Sequence, residues 1–255
     1  MIRLFPKAQK ILFFGLAASL FVTGMMIVMG EGAFAIFTAI TGCWASWFCA
    51  LYSAISAHGK QLNVLYDELK PEEFRQNYAP LLERAKAGSA MEAAMRAHIG
   101  NALASEGRYE EALSWYTSDS QRSDVRLMQL ENRCRCLLAL GETEKLRKET
   151  EAWQSLIEKV KKSRAEVSRR TLALLQIREK VETGKADTND QIAIQQEQRG
   201  TNKRLHRAEM SLLLAKIYRI LGFLEAERQE LEGLSKLNPE LICCREAKEL
   251  LSAFN

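Results

Sequence analysis

Apolar residues are not spread evenly along this chain. From Ile11 to Met29, and again from Ala33 to Ala57, there is no charged side chain. Only Gly30-Glu31-Gly32 separates the two runs. Each is long enough to cross a hydrocarbon core about 30 Å thick as a helix. The pattern predicts two membrane-spanning helices joined by a tight reversal, which glycine permits. Beyond His58 the pattern changes to helical periodicity, rich in Glu, Lys, Arg, Leu and Ala, with no sustained strand-like alternation. The fold class expected is therefore all-α: a transmembrane helical hairpin over residues 1–58, linker helices over 59–90, and a helical domain over 91–255.

Charge orients the hairpin. Arg3, Lys7 and Lys10 precede the first run, Glu31 lies between the runs, and His58 and Lys60 follow the second. Basic flanks stay on the cytoplasmic side, which predicts an integral membrane protein with both termini cytoplasmic. In a bacterium that membrane would be the plasma membrane. A secretory signal cleaved near Ala33-Phe34-Ala35 is the rival reading. It is opposed by an apolar region longer than the usual roughly 7–15 residues and by the second span that follows at once. Small residues on one face of each helix, Gly15, Ser19 and Thr23 on the first and Ala45, Cys49, Ser53 and Ala57 on the second, predict close packing of the pair. Neither run holds an Asp, Glu, Lys or Arg, so a pore or pump is not indicated.

Within the helical domain, Pro71 to Lys86 reads as a separate helix, with Gly88-Ser89 as its stop and the next N-cap. From Ala93 onward a pattern of small and aromatic positions begins. Gly100 and Leu103 precede a turn at Gly107, and Tyr109, Ala112 and Tyr116 follow it. Gly141 lies 34 residues after Gly107, with Cys134 and Leu137 before it and Leu146 and Thr150 after it. A third unit runs from Ala208 to Leu241, with Leu214, Ala215 and Tyr218, then Gly222, Glu227, Leu231 and Pro239. These residues resemble the tetratricopeptide repeat, whose period is 34. The resemblance implies an α-solenoid of about three degenerate repeats with a final helix as cap. Because Gly141 and Gly222 are out of phase, it also implies an insertion near 143–205. The part from Thr143 to Glu182 has helical composition, as one helix or two. The part from Gly184 to Asn202 reads as a polar loop or a frayed helix.

What the resemblance implies about function is a groove for a protein or peptide partner, lined by the first helix of each unit. By register that groove presents Asn101, then Glu131, Asn132 and Arg135, then Lys216 and Arg219. Asn101 and Asn132 match the two Asn places of the carboxylate clamp found in some family members. Ala97, Glu209 and Leu213 stand where its basic residues belong, so that clamp is not assigned here.

Composition removes other classes. The net charge of +4 is too mild for a nucleic-acid protein. The basic stretch Lys159, Lys161, Lys162, Arg164, Arg169 and Arg170 has no interleaved aromatics and reads as a solvated face or a patch for anionic lipid. Six cysteines form no C-x-x-C pair, which suits free thiols in a reducing compartment. No nucleophile elbow, phosphate loop or metal-binding motif is present. The expectation is a non-enzyme with no cofactor, no metal and no evident small-molecule substrate. It would be a membrane-anchored scaffold or adaptor, or alternatively a structural subunit of a membrane complex assembled through the hairpin.

Overall fold

The computed structural model describes residues 1–116 and 122–254; Thr117 to Gln121, in the first repeat unit, and Asn255 lie outside the described residues. The described residues form twelve α-helices and one short 3-10 helix, with no strand among them. Contacts divide the chain into two units. One comprises residues 1–62 and 80–85, the other residues 63–79 and 86–255.

The first unit is built on α1 (Pro6–Val28) and α2 (Gly32–Tyr66). Pro6 opens α1, where its missing N–H costs nothing. Both helices are long and apolar enough to span a membrane, with mean hydropathies of 2.3 and 1.6 over their most apolar windows. Only 6% and 17% of those windows are buried within the chain, which distinguishes them from core helices of a water-soluble domain. Phe13, Phe14, Phe21, Phe34, Phe37, Trp44 and Phe48 all point outward. The turn between the helices uses Gly30 at φ +82°. Gly30 donates to the Ile27 carbonyl and Glu31 to that of Met26, closing the last turn of α1.

The helices meet through small residues. A Cβ added at Gly15 would fall 2.8 Å from Cβ of Ser46, and one at Gly42 would fall 2.7 Å from Cβ of Ser19. The expected face of α1 is the observed one, since Ser19 is buried and Gly15 and Thr23 partly so. The expected face of α2 is corrected in its first half. Ala45 and Cys49 are exposed, Ser53 and Ala57 are half-buried, and the contact runs through Ala35, Gly42, Ser46, Ala50 and Ala54. From Gly42 on both stripes have the same four-residue spacing, so spacing alone does not choose between them. The register set by the Gly30 turn does.

In the second unit, the last turn of α2 leads through Leu69 into α3 (Pro71–Leu82). Leu69 is buried at φ +63°, and its carbonyl accepts from Asn238 Nδ2 at 2.8 Å. Four helical hairpins follow: α4 (Ala90–Ser105) with α5 (Tyr109–Trp115), α6 (Ser123–Ala139) with α7 (Thr143–Ile157), α8 (Lys162–Glu182) with α9 (Thr188–Gly200), and α10 (Arg204–Leu221) with α11 (Leu224–Ser235). The chain closes on α12 (Ile242–Ser252), packed on α11 and α10. Gly107, Gly141, Gly184 and Gly222 end the leading helices at φ between +69° and +79°. After each, the next N–H reaches back five residues, to the carbonyls of Leu103, Leu137, Lys180 and Tyr218.

In the first unit a small residue packs against a large one. A Cβ at Gly100 would sit 2.5 Å from Tyr116 Cε1, so no larger residue fits beside that ring. The equivalent pair 34 residues later, Cys134 and Thr150, also touches, sulfur to hydroxyl, at 3.8 Å. One core joins α6, α7 and α8 around Leu130, Leu137, Leu146 and Trp153. Another joins α8, α9 and α10 around Ile194, Met210, Leu214 and Ile217.

In the region expected as an insertion, Thr143 to Glu182 is two helices, one of the two arrangements its composition left open, and the first of them pairs with α6. Of loop or helix, Gly184 to Asn202 takes the helix, α9. Asp187 caps it, accepting from the backbone of Asn189 and Asp190, while Asp190 returns a bond to the Asp187 N–H. This Asp-to-Asp capping box fixes the start of a helix in a stretch whose polar composition left loop and helix open.

Candidate functional site

The leading helices α4, α6, α8 and α10, with α12 and the end of α2, enclose a cavity of about 310 Å³ in the second unit. Four of the six residues chosen from the repeat register line it: Asn101, Asn132, Arg135 and Lys216. Asn101, Arg135 and Lys216 each sit one position after the small residue of their helix (Gly100, Cys134 and Ala215), and Asn132 lies three before Arg135, so the helical repeat turns them to one side. Glu131 lines instead a second cavity of about 210 Å³, whose wall it shares with Arg135, Arg178 and His206. Arg219 lines neither cavity. Its guanidinium bonds Glu227 on α11 at 2.6 Å and lies 5.9 Å from the centre of the Phe254 ring.

Polar contacts organise the larger cavity. Tyr66 hydroxyl accepts from Asn101 Nδ2 at 2.9 Å and lies 3.0 Å from His98 Nδ1. Tyr116 hydroxyl donates to Asn101 Oδ1 at 2.9 Å, so both ends of that amide are held. Arg135 bonds Glu209 Oε2 at 2.6 Å, Arg178 approaches the same oxygen at 3.5 Å, and His206 Nδ1 lies 3.9 Å from it. Lys216 pairs with Glu246 at 2.9 Å and with Glu182 at 3.6 Å.

Electrostatics follow from this packing. Burial works against the charge on Glu209, but Arg135 and Arg178 outweigh it and hold the carboxyl below its usual range. Arg135 is correspondingly held as a cation by Glu209. Burial and the neighbouring Arg135 both act to lower the Arg178 pKa. Burial pushes the Tyr109 hydroxyl up to about 12 and the Cys136 and Cys243 thiols up to about 11 and about 12. These groups are neutral at physiological pH, and the thiols are poor nucleophiles. Burial also raises the Glu131 pKa.

All six cysteines are free thiols, and no cluster of three metal-ligating side chains exists among the described residues. The cavity combines fixed hydrogen-bonding groups, an ion cluster and apolar walls from Leu205, Leu212, Leu213 and Ile242.

Sequence reasoning missed Arg178, His206, Tyr66 and Tyr109. Arg178 lies in the supposed insertion and Tyr66 at the end of an apparent membrane helix, so no repeat register reached them. Glu209 was visible only as a mismatch in a clamp, although it is the centre of the ion cluster. No family model, no curated protein and no solved structure matches the chain.

Proposed function

We propose that this protein is a membrane-anchored adaptor. The α1–α2 hairpin fixes it in the bilayer with both termini cytoplasmic, and a tetratricopeptide-like helical domain holds a protein partner. The observation that carries the reading is the convergence of Asn101, Asn132, Arg135 and Lys216, from the leading helices α4, α6 and α10, on one cavity. Repeat folds present such side chains on a common surface for recognition. The cavity's size suits one side chain or chain end of a partner, with the rest of the contact made on the surrounding face.

The alternative, a structural subunit assembled through the hairpin, gave the small-residue faces to other subunits. Gly15 and Ser19 of α1 are engaged inside the hairpin with Gly42 and Ser46, while Ala45 and Cys49 on α2 are exposed and open to other subunits.

Two experiments test the proposal. Reporter fusions after Lys10 and after Asn255 are expected to read cytoplasmic at both sites; an external C-terminus rejects the topology. For the partner, tagged full-length protein is purified from its native membrane beside a chimera carrying an unrelated two-helix anchor in place of residues 1–58. The adaptor reading expects the same partner with both. Loss of the partner from the chimera transfers recognition to the hairpin.

A further inference from the structure

Arg178 has an unusual position for a guanidinium. Its side chain is only 24% exposed, it lines both cavities, and its one hydrogen bond among the described residues is the 3.5 Å contact to Glu209. That contact is at the outer limit of a hydrogen bond. The carboxylate it reaches is already taken by Arg135 at 2.6 Å. A guanidinium carries five N–H donors in a fixed fork that matches a carboxylate. Most of that capacity is unfilled here.

The charges around it sort into separate groups. Arg170 and His206 share Glu197, at 2.5 Å and 3.0 Å. Lys216 pairs with Glu246 and Glu182; Glu182 also acts on Arg178, but its side chain is 58% exposed, so its field is screened by water. Arg135 and Arg178 are left with Glu209 between them. Glu131 lines the second cavity and not the first. In the larger cavity Arg135 and Arg178 therefore reach one carboxylate between them, that of Glu209. The other N–H groups of Arg178 are left to face the cavity, and an anion is what a guanidinium fork takes up there.

The walls describe the rest of that anion. The cavity of about 310 Å³ is at the lower end of small-molecule sites. Next to the ion cluster stand the rings of Tyr109 and Tyr116 and the side chains of Leu212 and Leu213. An inorganic ion would leave this apolar surface uncovered.

We infer that the cavity binds a small organic monocarboxylate, its carboxylate held by the fork of Arg178 and its apolar body against Leu212, Leu213 and the two tyrosine rings. The site goes beyond the adaptor reading and stands without it, because the ligand is a free small molecule. It can be measured on the purified chain with no partner present.

The test is calorimetric titration of the full-length protein in detergent micelles, with micelles alone as the blank. The probes are 3-phenylpropionate and hexanoate, their neutral amides, and inorganic phosphate. At least one carboxylate is expected to bind saturably, with its amide and phosphate each at least tenfold weaker. Arg178→Gln is expected to weaken the carboxylate at least tenfold while the melting temperature of the unliganded protein is unchanged, because a charge-assisted forked pair is lost. Should that variant not fold, Arg178→Lys keeps the charge but not the fork, and must still weaken binding several-fold. The inference is overturned if neither carboxylate binds, if acid and amide bind equally, or if phosphate binds as well as the carboxylates. Unchanged affinity in the Arg178 variant that folds overturns it too.

Discussion

Where α1 meets α2 the residues in contact are Gly15, Ser19, Gly42 and Ser46; where α6 meets α7 they include Leu130, Leu137, Leu146 and Trp153. Both pairs turn back at a left-handed glycine, Gly30 in one and Gly141 in the other, with the same reach-back hydrogen bonds. The turn chemistry is shared, and the cohesion is not. Among the water-facing helices, burying large apolar side chains is itself the driving force. Between two helices that expose apolar side chains all round, that force does not choose the contact, and close approach through small residues does. The large side chains of α1 and α2, such as Phe21 at 70% exposed, accordingly point away from the contact.

The largest effect should come from emptying the water-facing core. Trp153 is fully buried at the centre of the α6–α7–α8 cluster. Trp153→Ala is expected to cost about 3–5 kcal/mol, which for a unit of this size lowers the melting temperature by about 10 °C. Helicity followed at 222 nm in detergent would show it. The α1–α2 hairpin should survive that melt, so a loss of all helical signal in one step would deny that the two units are held by separate means.

A finer contrast lies inside the second unit. In the repeat register Leu146 replaces a small residue, and from sequence it is expected to sit at a loose contact and to tolerate truncation better than Ala112 tolerates enlargement. The structure corrects this. Leu146 is 8% exposed and belongs to the same core as Trp153. Leu146→Ala is now expected to cost about 2–5 kcal/mol. Ala112→Leu, at a fully buried position on α5, is expected to cost about 1–3 kcal/mol by overpacking. Thermal melts of the two variants decide the order. The larger loss in Ala112→Leu would restore the repeat as the better guide to packing than burial.

The same structural detail revises what charge reversal can test. By register, Arg135, Lys216 and Arg219 read as free of packing and safe to reverse. Arg135 is tied to Glu209 and Arg219 to Glu227, whose side chain is 1% exposed. Reversing either leaves a buried carboxylate facing another, so loss of a partner could not be separated from loss of fold.

In the hairpin the sensitive direction is the opposite one, addition instead of removal. Gly15→Ala places a methyl 2.8 Å from Cβ of Ser46 and is expected to cost about 1–3 kcal/mol. Ser46→Gly should recover most of it in the double variant, since the added methyl then meets no side chain. Denaturant titration in micelles measures both. Additive losses without recovery would mean that the two positions do not meet.

How far these features could be read from sequence depended on how local their causes are. The apolar runs, the glycine turns at 107, 141 and 222 and the helix from Pro71 needed only spacing and turn chemistry. The stripe on α2 was misassigned because two stripes of equal spacing coexist. The hairpin at Gly184 was missed because its distances to Gly141 and Gly222 differ from 34. The cavity's ion cluster draws Arg135, Arg178 and Glu209 from α6, α8 and α10, which no single-helix pattern connects. Arg219 was placed in the groove by register, yet a buried acid on the next helix, Glu227, draws it away.

The smallest effect argued here concerns a helix start. Ser89 precedes α4 in extended backbone, and its hydroxyl accepts from the Glu92 N–H at 3.1 Å. Glu92 reaches back to the Gly88 N–H at 2.6 Å, so the side chains satisfy donors at both ends of the first turn. Ser89→Ala removes one acceptor from an end where four N–H groups have no partner within the helix, and should cost about 1 kcal/mol. Ser89→Gly should cost only a few tenths, because glycine leaves that N–H open to water. α4 carries Asn101 into the cavity, but Asn101 lies three turns away and is fixed by Tyr66 and Tyr116. The expected outcome is therefore a lowered melting temperature for Ser89→Ala with ligand binding intact. Equal melts for the serine and alanine proteins would show that α4 is held by its packed face alone, as α1 and α2 are, without help from its cap.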